Sequence, residues 1–100
     1  MKLWFYYLDN KGKIHRTPEF QKALAVMEKY GQWKLEDSVG KVKVSTVFFP
    51  IDLNLFRQGA KPILFETMIY GGKHDGQSYR SATIKEAEAK HASILAKLQK

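Results

Sequence analysis

Residues 44–54 read VSTVFFPIDLN and residues 62–72 read PILFETMIYGG, and these two stretches decide the fold of the chain. Both are apolar and rich in β-branched and aromatic residues, which suit the half-buried surface of a pleated sheet. The first stretch ends in a polar loop and the second in a pair of glycines, so each is followed by a turn signal. We therefore predict two strong strands at the centre of a sheet. Residues 42, 44, 46 and 48 share one face of the first strand, and residues 63, 65, 67 and 69 share one face of the second.

The remainder of the chain predicts further strands and two helices around this central pair. Weaker or ambiguous strand signals lie at residues 2–9, 13–17, 32–40 and 78–82, and helix starts lie at Thr17 and Thr83. Thr17 can cap the first free amides before a proline, and Gly31 can end the same helix. Thr83 and Glu86 have the spacing of a capping box. The pattern predicts one helix over residues 18–30 and a second that begins after Thr83.

This order of elements predicts a single α+β domain over residues 1–100. We expect an antiparallel β-sheet of four to six strands with two helices packed on one face. Aromatic side chains such as Trp4 and Tyr6 would give the other face an exposed apolar surface, which favours a homodimer or a higher homo-oligomer. His91 falls on the apolar stripe of the second helix, where a hydrogen-bonded core histidine is the expected role.

Composition and charge narrow the classes of function. The chain has no cysteine, which excludes disulfides and thiolate metal sites, and its three histidines are scattered, so no metal and no cofactor are expected. No apolar run is as long as a membrane span and no signal-peptide pattern opens the chain, so we expect a cytoplasmic protein without a membrane partner. A formal net charge of +7 favours anionic partners, such as a nucleotide or nucleic acid.

Polar side chains set into and beside the central strands supply the candidate binding site. They are Thr46, Asp52, Asn54, Arg57, Lys61, Glu66, Thr67 and Arg80. A buried carboxylate must be paired, so Glu66 either forms a structural ion pair, contacts a ligand, or acts as an acid or base. Thr46 and Thr67 either stabilise each other across the sheet or bind a ligand's hydroxyl or phosphate groups. These alternatives stay open at the level of the sequence.

Several of these residues belong to a longer pattern. Residues 44–48 read VSTVF, Asp52 and Asn54 follow, residues 62–72 match P-x-L-F-E-T-M-x-x-G-G, and Tyr79 and an E-A-x-x-x-H stretch ending at His91 come later. In this pattern, which spans roughly half of the chain, the sequence resembles a family of short uncharacterised proteins encoded mainly by bacteriophages. The resemblance implies a phage accessory protein that acts in the cytoplasm of a bacterial host, and it implies no particular activity.

We expect a non-enzymatic protein that binds and sequesters a small anionic ligand of the nucleotide type, which would suit a role against host defence. In this interpretation Arg57, Lys61 and Arg80 meet phosphate groups, and the other candidate residues fix the sugar or the base. One alternative is a protein- or nucleic-acid-binding module that acts through the N-terminal aromatic hairpin at residues 2–17. The other is a small hydrolase that uses Asp52 and Glu66.

Overall fold

A computed structural model describes residues 3–54 and 61–99, and this part of the chain contains six strands and two helices. The strands are β1 (Phe5–Leu8), β2 (Ile14–Thr17), β3 (Lys34–Val39), β4 (Val42–Phe48), β5 (Phe65–Tyr70) and β6 (Ser78–Ser81). The helices are α1 (Phe20–Tyr30) and α2 (Ile84–Leu98). All the predicted elements are present, and the ambiguous segment at residues 32–40 contains strand β3.

The six strands divide into two antiparallel sheets. β1 pairs with β2 in a hairpin, and β3, β4, β5 and β6 lie side by side in chain order to form the larger sheet. α2 packs across all four strands of the larger sheet, whereas α1 packs on the hairpin. The α+β class and the four-stranded antiparallel sheet are therefore confirmed, and each helix covers a sheet of its own.

A shared apolar core joins the hairpin to the larger sheet. The amide of Tyr6 donates a hydrogen bond to the carbonyl oxygen of Pro50 at 2.8 Å. The buried residues of the core are Phe48, Leu64, Phe65 and Ala87, and the partly buried side chains around them include Tyr6, Leu8, Ile14, Met27 and Trp33. The rings of Trp33 and Phe65 meet edge to face with their centroids 5.2 Å apart, which is a favoured arrangement for aromatic pairs.

β4 and β5 turn every second side chain toward α2, as the period of two in a strand requires. The side chains on this covered face are Val44, Thr46, Phe48, Phe65, Thr67 and Ile69, and all of them are buried. α2 meets them with Ala87, His91 and Ile94, which are buried and spaced four and three residues apart. The predicted alternation of the central strands and the predicted stripe of the second helix are both confirmed.

Local signals set the ends of both helices. The Thr83 hydroxyl accepts a hydrogen bond from the Glu86 amide at 3.1 Å and donates one to the Glu86 carboxylate at 3.0 Å, which confirms the predicted cap of α2. At α1 the prediction is corrected, because Glu19 is the cap residue and the Thr17 hydroxyl accepts from the Glu19 amide at 3.1 Å. Gly31 ends α1 as predicted, with φ of +81°.

Candidate functional site

Four side chains form a hydrogen-bonded chain between the larger sheet and α2. The hydroxyl oxygens of Thr67 and Thr46 lie 2.6 Å apart, and Thr46 Oγ1 lies 2.7 Å from His91 Nδ1. His91 Nε2 lies 2.8 Å from Asp37 Oδ2 on the edge strand β3. A neutral imidazole with its proton on Nε2 satisfies this whole chain, because each hydroxyl then donates toward the histidine and the histidine donates to Asp37.

The two threonines predicted to bind a ligand therefore lie inside the protein. Thr46 and Thr67 are 0% and 1% exposed, their hydroxyls are bonded to each other, and the Thr46 hydroxyl is also bonded to His91. Every buried polar side-chain atom within residues 3–54 and 61–99 has a hydrogen-bond partner. In this structure the threonines stabilise the sheet, which was one of the two alternatives, and the core role predicted for His91 is confirmed.

Glu66 and Arg80 lie on the opposite face of the larger sheet, away from α2. They are direct neighbours across β5 and β6, and Arg80 Nε donates to Glu66 Oε2 at 3.3 Å. A second carboxylate on this face, that of Glu36, lies 3.1 Å from Lys43 Nζ and 3.8 Å from Lys34 Nζ. The hydrogen bond from Lys43 and the charges of both lysines lower the pKa of Glu36. Glu66 thus belongs to an ion pair, on a face whose charges pair with one another.

The remaining predicted residues belong to the loop after β4. Asp52 Oδ1 accepts hydrogen bonds from the amides of Asn54 and Ile63, at 2.9 and 2.8 Å, so this carboxylate closes the loop. Lys61 is exposed, and Arg57 lies outside the described residues. Arg80 also donates from Nη1 to the carbonyl oxygen of Leu53 at 3.2 Å, so its ion pair with Glu66 adjoins this loop, whereas the two threonines lie in the core. None of the predicted site residues that the structure describes lines the clefts beside α2 or the β1–β2 turn.

The aromatic residues of the N-terminal hairpin are engaged within the chain. Arg16 Cζ lies 4.3 Å from the centroid of the Trp4 ring, and the rings of Tyr7 and His15 stack with their centroids 5.1 Å apart. Tyr6 packs on the core, and burial is the largest cause of its raised pKa. These contacts use ring surface that a nucleic-acid-binding hairpin would need for stacking on bases.

A cleft of about 200 Å³ lies between the second half of α2 and the hairpin formed by β5 and β6. We call it the α2 cleft. Its lining combines apolar side chains from Ile69, Ile94 and Leu98, basic ones from His74, Lys90 and Lys97, and neutral polar ones from Gln77, Tyr79 and Ser93. A cleft with apolar surface and a few convergent polar groups is the usual form of a small-molecule site.

The α2 cleft is electropositive, because its lining contains two lysines and no carboxylate. Lys90 and Lys97 are two helical turns apart on one side of α2, so their Cα atoms are separated by about 10 Å. Lys90 Nζ lies 5.0 Å from the centroid of the Tyr79 ring, which holds this ammonium group against the aromatic side chain. The arrangement can attract an anion with its ammonium groups and place a flat ring beside Tyr79.

A second cleft, of about 330 Å³, opens between the β1–β2 turn and the end of α1. Its lining includes Asp9, whose carboxylate accepts hydrogen bonds from His15 Nε2 at 2.8 Å and from the amides of Lys11 and Lys13 at 2.9 Å. The bond from His15 and the bond from the Lys13 amide lower the pKa of Asp9 to about 2. A carboxylate that stays ionised makes this second cleft unfavourable for an anion.

The interpretation of the sequence did not single out the lysines of the α2 cleft. Lys90, Ser93 and Lys97 are spaced three and four residues apart, so a helical projection of α2 would have shown a basic and polar stripe beside the apolar one. Gln77 and Tyr79 are two residues apart and therefore point to the same side of the chain that enters β6. No local pattern shows that these two surfaces face each other, because that depends on how α2 crosses the sheet.

Metal-ligand clusters and membrane-crossing helices are both missing from residues 3–54 and 61–99. No group of three or more His, Asp or Glu side chains in these residues is placed to hold a metal ion. No helix in the same residues combines the length and the apolar character that a membrane span requires. Comparisons of the chain with protein-family models, with curated proteins and with solved structures found no match.

Proposed function

We propose that this protein binds a small anionic ligand of the nucleotide type in the α2 cleft. The observation that carries the proposal is the lining of this cleft, where His74, Lys90 and Lys97 accompany apolar surface and the Tyr79 ring without any carboxylate. A nucleotide combines an anionic phosphate with a flat, largely apolar base. The lining therefore matches both parts of such a ligand.

The basic residues would hold the phosphate and the aromatic residue would hold the base. Lysine ammonium groups bind phosphate as mobile point charges, and the long side chains of Lys90 and Lys97 can converge on one anion from two turns of the helix. Lys90 Nζ lies over the Tyr79 ring, and when this ammonium group turns to the phosphate the ring offers a surface on which a base can stack. Ile94 lies in the same lining and supplies apolar contact for the ring.

The size of the cleft limits the ligand. Its volume of about 200 Å³ lies below the range of about 300–1,000 Å³ that is typical for drug-sized ligands. A mononucleotide with part of its surface left in solvent is compatible with this volume. A dinucleotide or ADP-ribose is too large for the cleft as it stands, so we propose a mononucleotide as the ligand class.

The biological setting in the proposal comes from the resemblance of the sequence to phage proteins. A phage accessory protein that acts as a homo-oligomer in the host cytoplasm would sequester the ligand without converting it. The net charge of +7 supports rapid capture, because a positive field raises the local concentration of anions. The proposed function is thus the one expected from the sequence, but the proposed binding site is the α2 cleft and not the central strands.

Isothermal titration calorimetry of the full chain tests the proposal. The ligands are inorganic phosphate, AMP, UMP, IMP, cyclic AMP and ADP-ribose, each titrated at low and at physiological salt. We expect at least one mononucleotide to bind more tightly than inorganic phosphate and ADP-ribose, and its affinity to fall as salt screens the lysines. Absence of heat with all of them would overturn the proposed function.

Lysine-to-methionine variants locate the binding to the cleft, because methionine keeps most of the side-chain stem and removes the charge. Lys90→Met and Lys97→Met should each weaken binding about tenfold, since a hydrogen bond to a charged group is worth about 1.5–3 kcal/mol. Lys85→Met is the matched control, because Lys85 is an exposed lysine of the same helix outside the lining of the cleft. Equal weakening in all three variants would show general charge attraction and overturn the assignment of the site.

A further inference from the structure

We infer that the α2 cleft prefers bases that carry a ring carbonyl next to a ring N–H, as in uracil and hypoxanthine, and that Gln77 makes this selection. Adenine and cytosine carry an amino group at the corresponding position. The inference deepens the proposed function and rests on it, because it concerns the ligand of the same cleft.

The orientation of the Gln77 carboxamide is the first observation. Tyr79 donates the proton of its hydroxyl to Gln77 Oε1 at 3.1 Å, so a bond at the protein surface orients the side-chain amide of Gln77. A carboxamide has one acceptor end and one donor end, and because the oxygen is turned toward Tyr79, the NH2 group is turned away from it and can donate to a ligand. Gln77 thus contributes a hydrogen-bond donor to the cleft lining.

The backbone around Gln77 is held firmly enough to support such a role. The backbone amide of Gln77 donates to the carbonyl oxygen of His74 at 3.1 Å, and the backbone carbonyl oxygen of Gln77 accepts from the amide of Ile69 at 3.0 Å. The next residue begins strand β6, which is hydrogen-bonded along β5. The Gln77 side chain therefore extends from a hydrogen-bonded segment of the hairpin, and this segment forms one wall of the cleft.

Ser93 supplies the complementary group from the other wall. Its hydroxyl proton is donated to the carbonyl oxygen of Lys90 at 3.2 Å, within α2. The lone pairs of the Ser93 oxygen remain, so this residue acts toward a ligand as an acceptor. The cleft thus presents a donor on the hairpin wall, at Gln77, and an acceptor on the helix wall, at Ser93.

This pair of groups matches the edge of a base in which a carbonyl stands beside an N–H. The carbonyl accepts from Gln77 and the N–H donates to Ser93. In adenine or cytosine the same edge carries an amino group beside an unprotonated ring nitrogen. The amino group then faces the NH2 donor of Gln77, and the ring nitrogen faces the acceptor oxygen of Ser93. A phosphate held by the lysines of α2 prevents the base from turning over, and the mismatch leaves polar groups unpaired.

Calorimetry with two matched pairs of mononucleotides tests the inference. IMP is compared with AMP, and UMP with CMP, because the members of each pair have the same phosphate and nearly the same size. We expect IMP and UMP to bind about five- to tenfold more tightly than AMP and CMP, which corresponds to one net hydrogen bond. Equal affinities within both pairs, or tighter binding of AMP and CMP, would overturn the inference.

Two variants assign the preference to Gln77 and its orientation. Gln77→Ala removes the donor and should lower the ratio between the affinities for IMP and AMP toward one. Tyr79→Phe keeps the ring and removes the proton that orients the amide, so the ratio between the affinities for IMP and AMP should fall toward one. Gln21→Ala, at an exposed position on α1, is the control and should keep the ratio of the unchanged protein.

The outcomes separate this inference from the proposed function. If no mononucleotide binds, the proposed function fails and the inference fails with it. If mononucleotides bind in a manner that depends on Lys90 and Lys97 but without preference within the pairs, the proposed function stands and only the inference is overturned. A preference that survives unchanged in Gln77→Ala or in Tyr79→Phe would overturn the role of the oriented amide.

Discussion

His91 Nδ1 lies 2.7 Å from the hydroxyl oxygen of Thr46, so that α2 is hydrogen-bonded to the centre of the larger sheet. The other ring nitrogen of His91 is bonded to Asp37 on the edge strand β3. The imidazole therefore joins the helix to two strands and restricts rotation of the helix about its own axis. Because α2 also forms one wall of the α2 cleft, these two bonds help to set the position of Lys90 and Ile94 in that wall.

Removal of the Thr46 hydroxyl should destabilise the protein. Thr46→Val keeps the shape of the side chain, and we expect the free energy of unfolding to fall by about 1–3 kcal/mol, because Thr67 and His91 lose a buried hydrogen-bond partner. Urea denaturation measures the change. Ser45→Ala, on the opposite face of β4, is the control and should alter stability by less than about 0.5 kcal/mol. Similar stabilities of the two variants would contradict the importance of the buried bond.

The cap of α2 should contribute to stability through the hydroxyl of Thr83. Thr83→Ala removes the acceptor for the Glu86 amide and should lower the free energy of unfolding by about 1 kcal/mol. Thr83→Ser keeps a hydroxyl at the same atom and should retain most of that stability. Denaturant titration of both variants makes the comparison, and a Ser variant as unstable as the Ala variant would show that the hydroxyl is not the cause.

Replacement of Gly72, the second glycine after β5, by a larger residue should destabilise the protein. Gly72 has φ of +72°, and an added Cβ would lie 2.7 Å from Val42 Cγ2 on the neighbouring strand. Gly40 also has a positive φ, of +59°, but nothing lies within 4 Å of an added Cβ there. Both alanine variants should lose about 1–2 kcal/mol from backbone strain. Gly72→Ala should lose more than Gly40→Ala in urea denaturation, because Val42 must also move; equal losses would exclude the clash.

Acid should weaken the β1–β2 turn through Asp9. The pKa of Asp9 is about 2 in the folded chain, chiefly because of its hydrogen bond from His15, and about 3.9 for an aspartate in an unfolded chain. Because the folded value is the lower one, the contribution of Asp9 to stability is fully present above about pH 4 and is lost as the pH falls toward about 2.

The variant Asp9→Asn tests whether Asp9 causes this loss of stability in acid. It lacks the titrating group, so its stability should depend less on pH than that of the unchanged protein over the range from about pH 4 to about pH 2. Urea midpoints measured for both proteins at several pH values across that range provide the comparison. An identical dependence on pH in both proteins would refute the assigned contribution.

Much of the fold was predictable from local patterns. The alternation of apolar residues predicted the buried faces of β4 and β5, and the spacing of Thr83 and Glu86 predicted the start of α2. The one misplaced cap, at Thr17, differs from the observed cap by two residues, because the threonine hydroxyl bonds the Glu19 amide before the helix begins. Element boundaries of this kind are decided by small local energies that several neighbouring residues can satisfy.

The candidate site was less predictable than the fold. The sequence marked Thr46 and Thr67 as polar residues in apolar strands, but it did not indicate that the Thr46 hydroxyl would bond both Thr67 and His91 in the core. The residues of the α2 cleft come from two segments, the hairpin around Gln77 and Tyr79 and the helix around Lys90, and neither segment is unusual when considered separately. Their combination makes the basic and aromatic character of the cleft visible.

The sequence by itself determined the local structure of this protein, because strand and helix periodicity, capping groups and glycine turns act between residues that are close along the chain. Only the tertiary structure decided which surfaces meet, as Thr46 and His91 show across 45 residues of sequence. A hydroxyl in a strand faces either a cavity or a buried partner according to what packs on that strand. The packing of α2 therefore buried the threonines and, beside the β5–β6 hairpin, left open the cleft that we propose as the binding site.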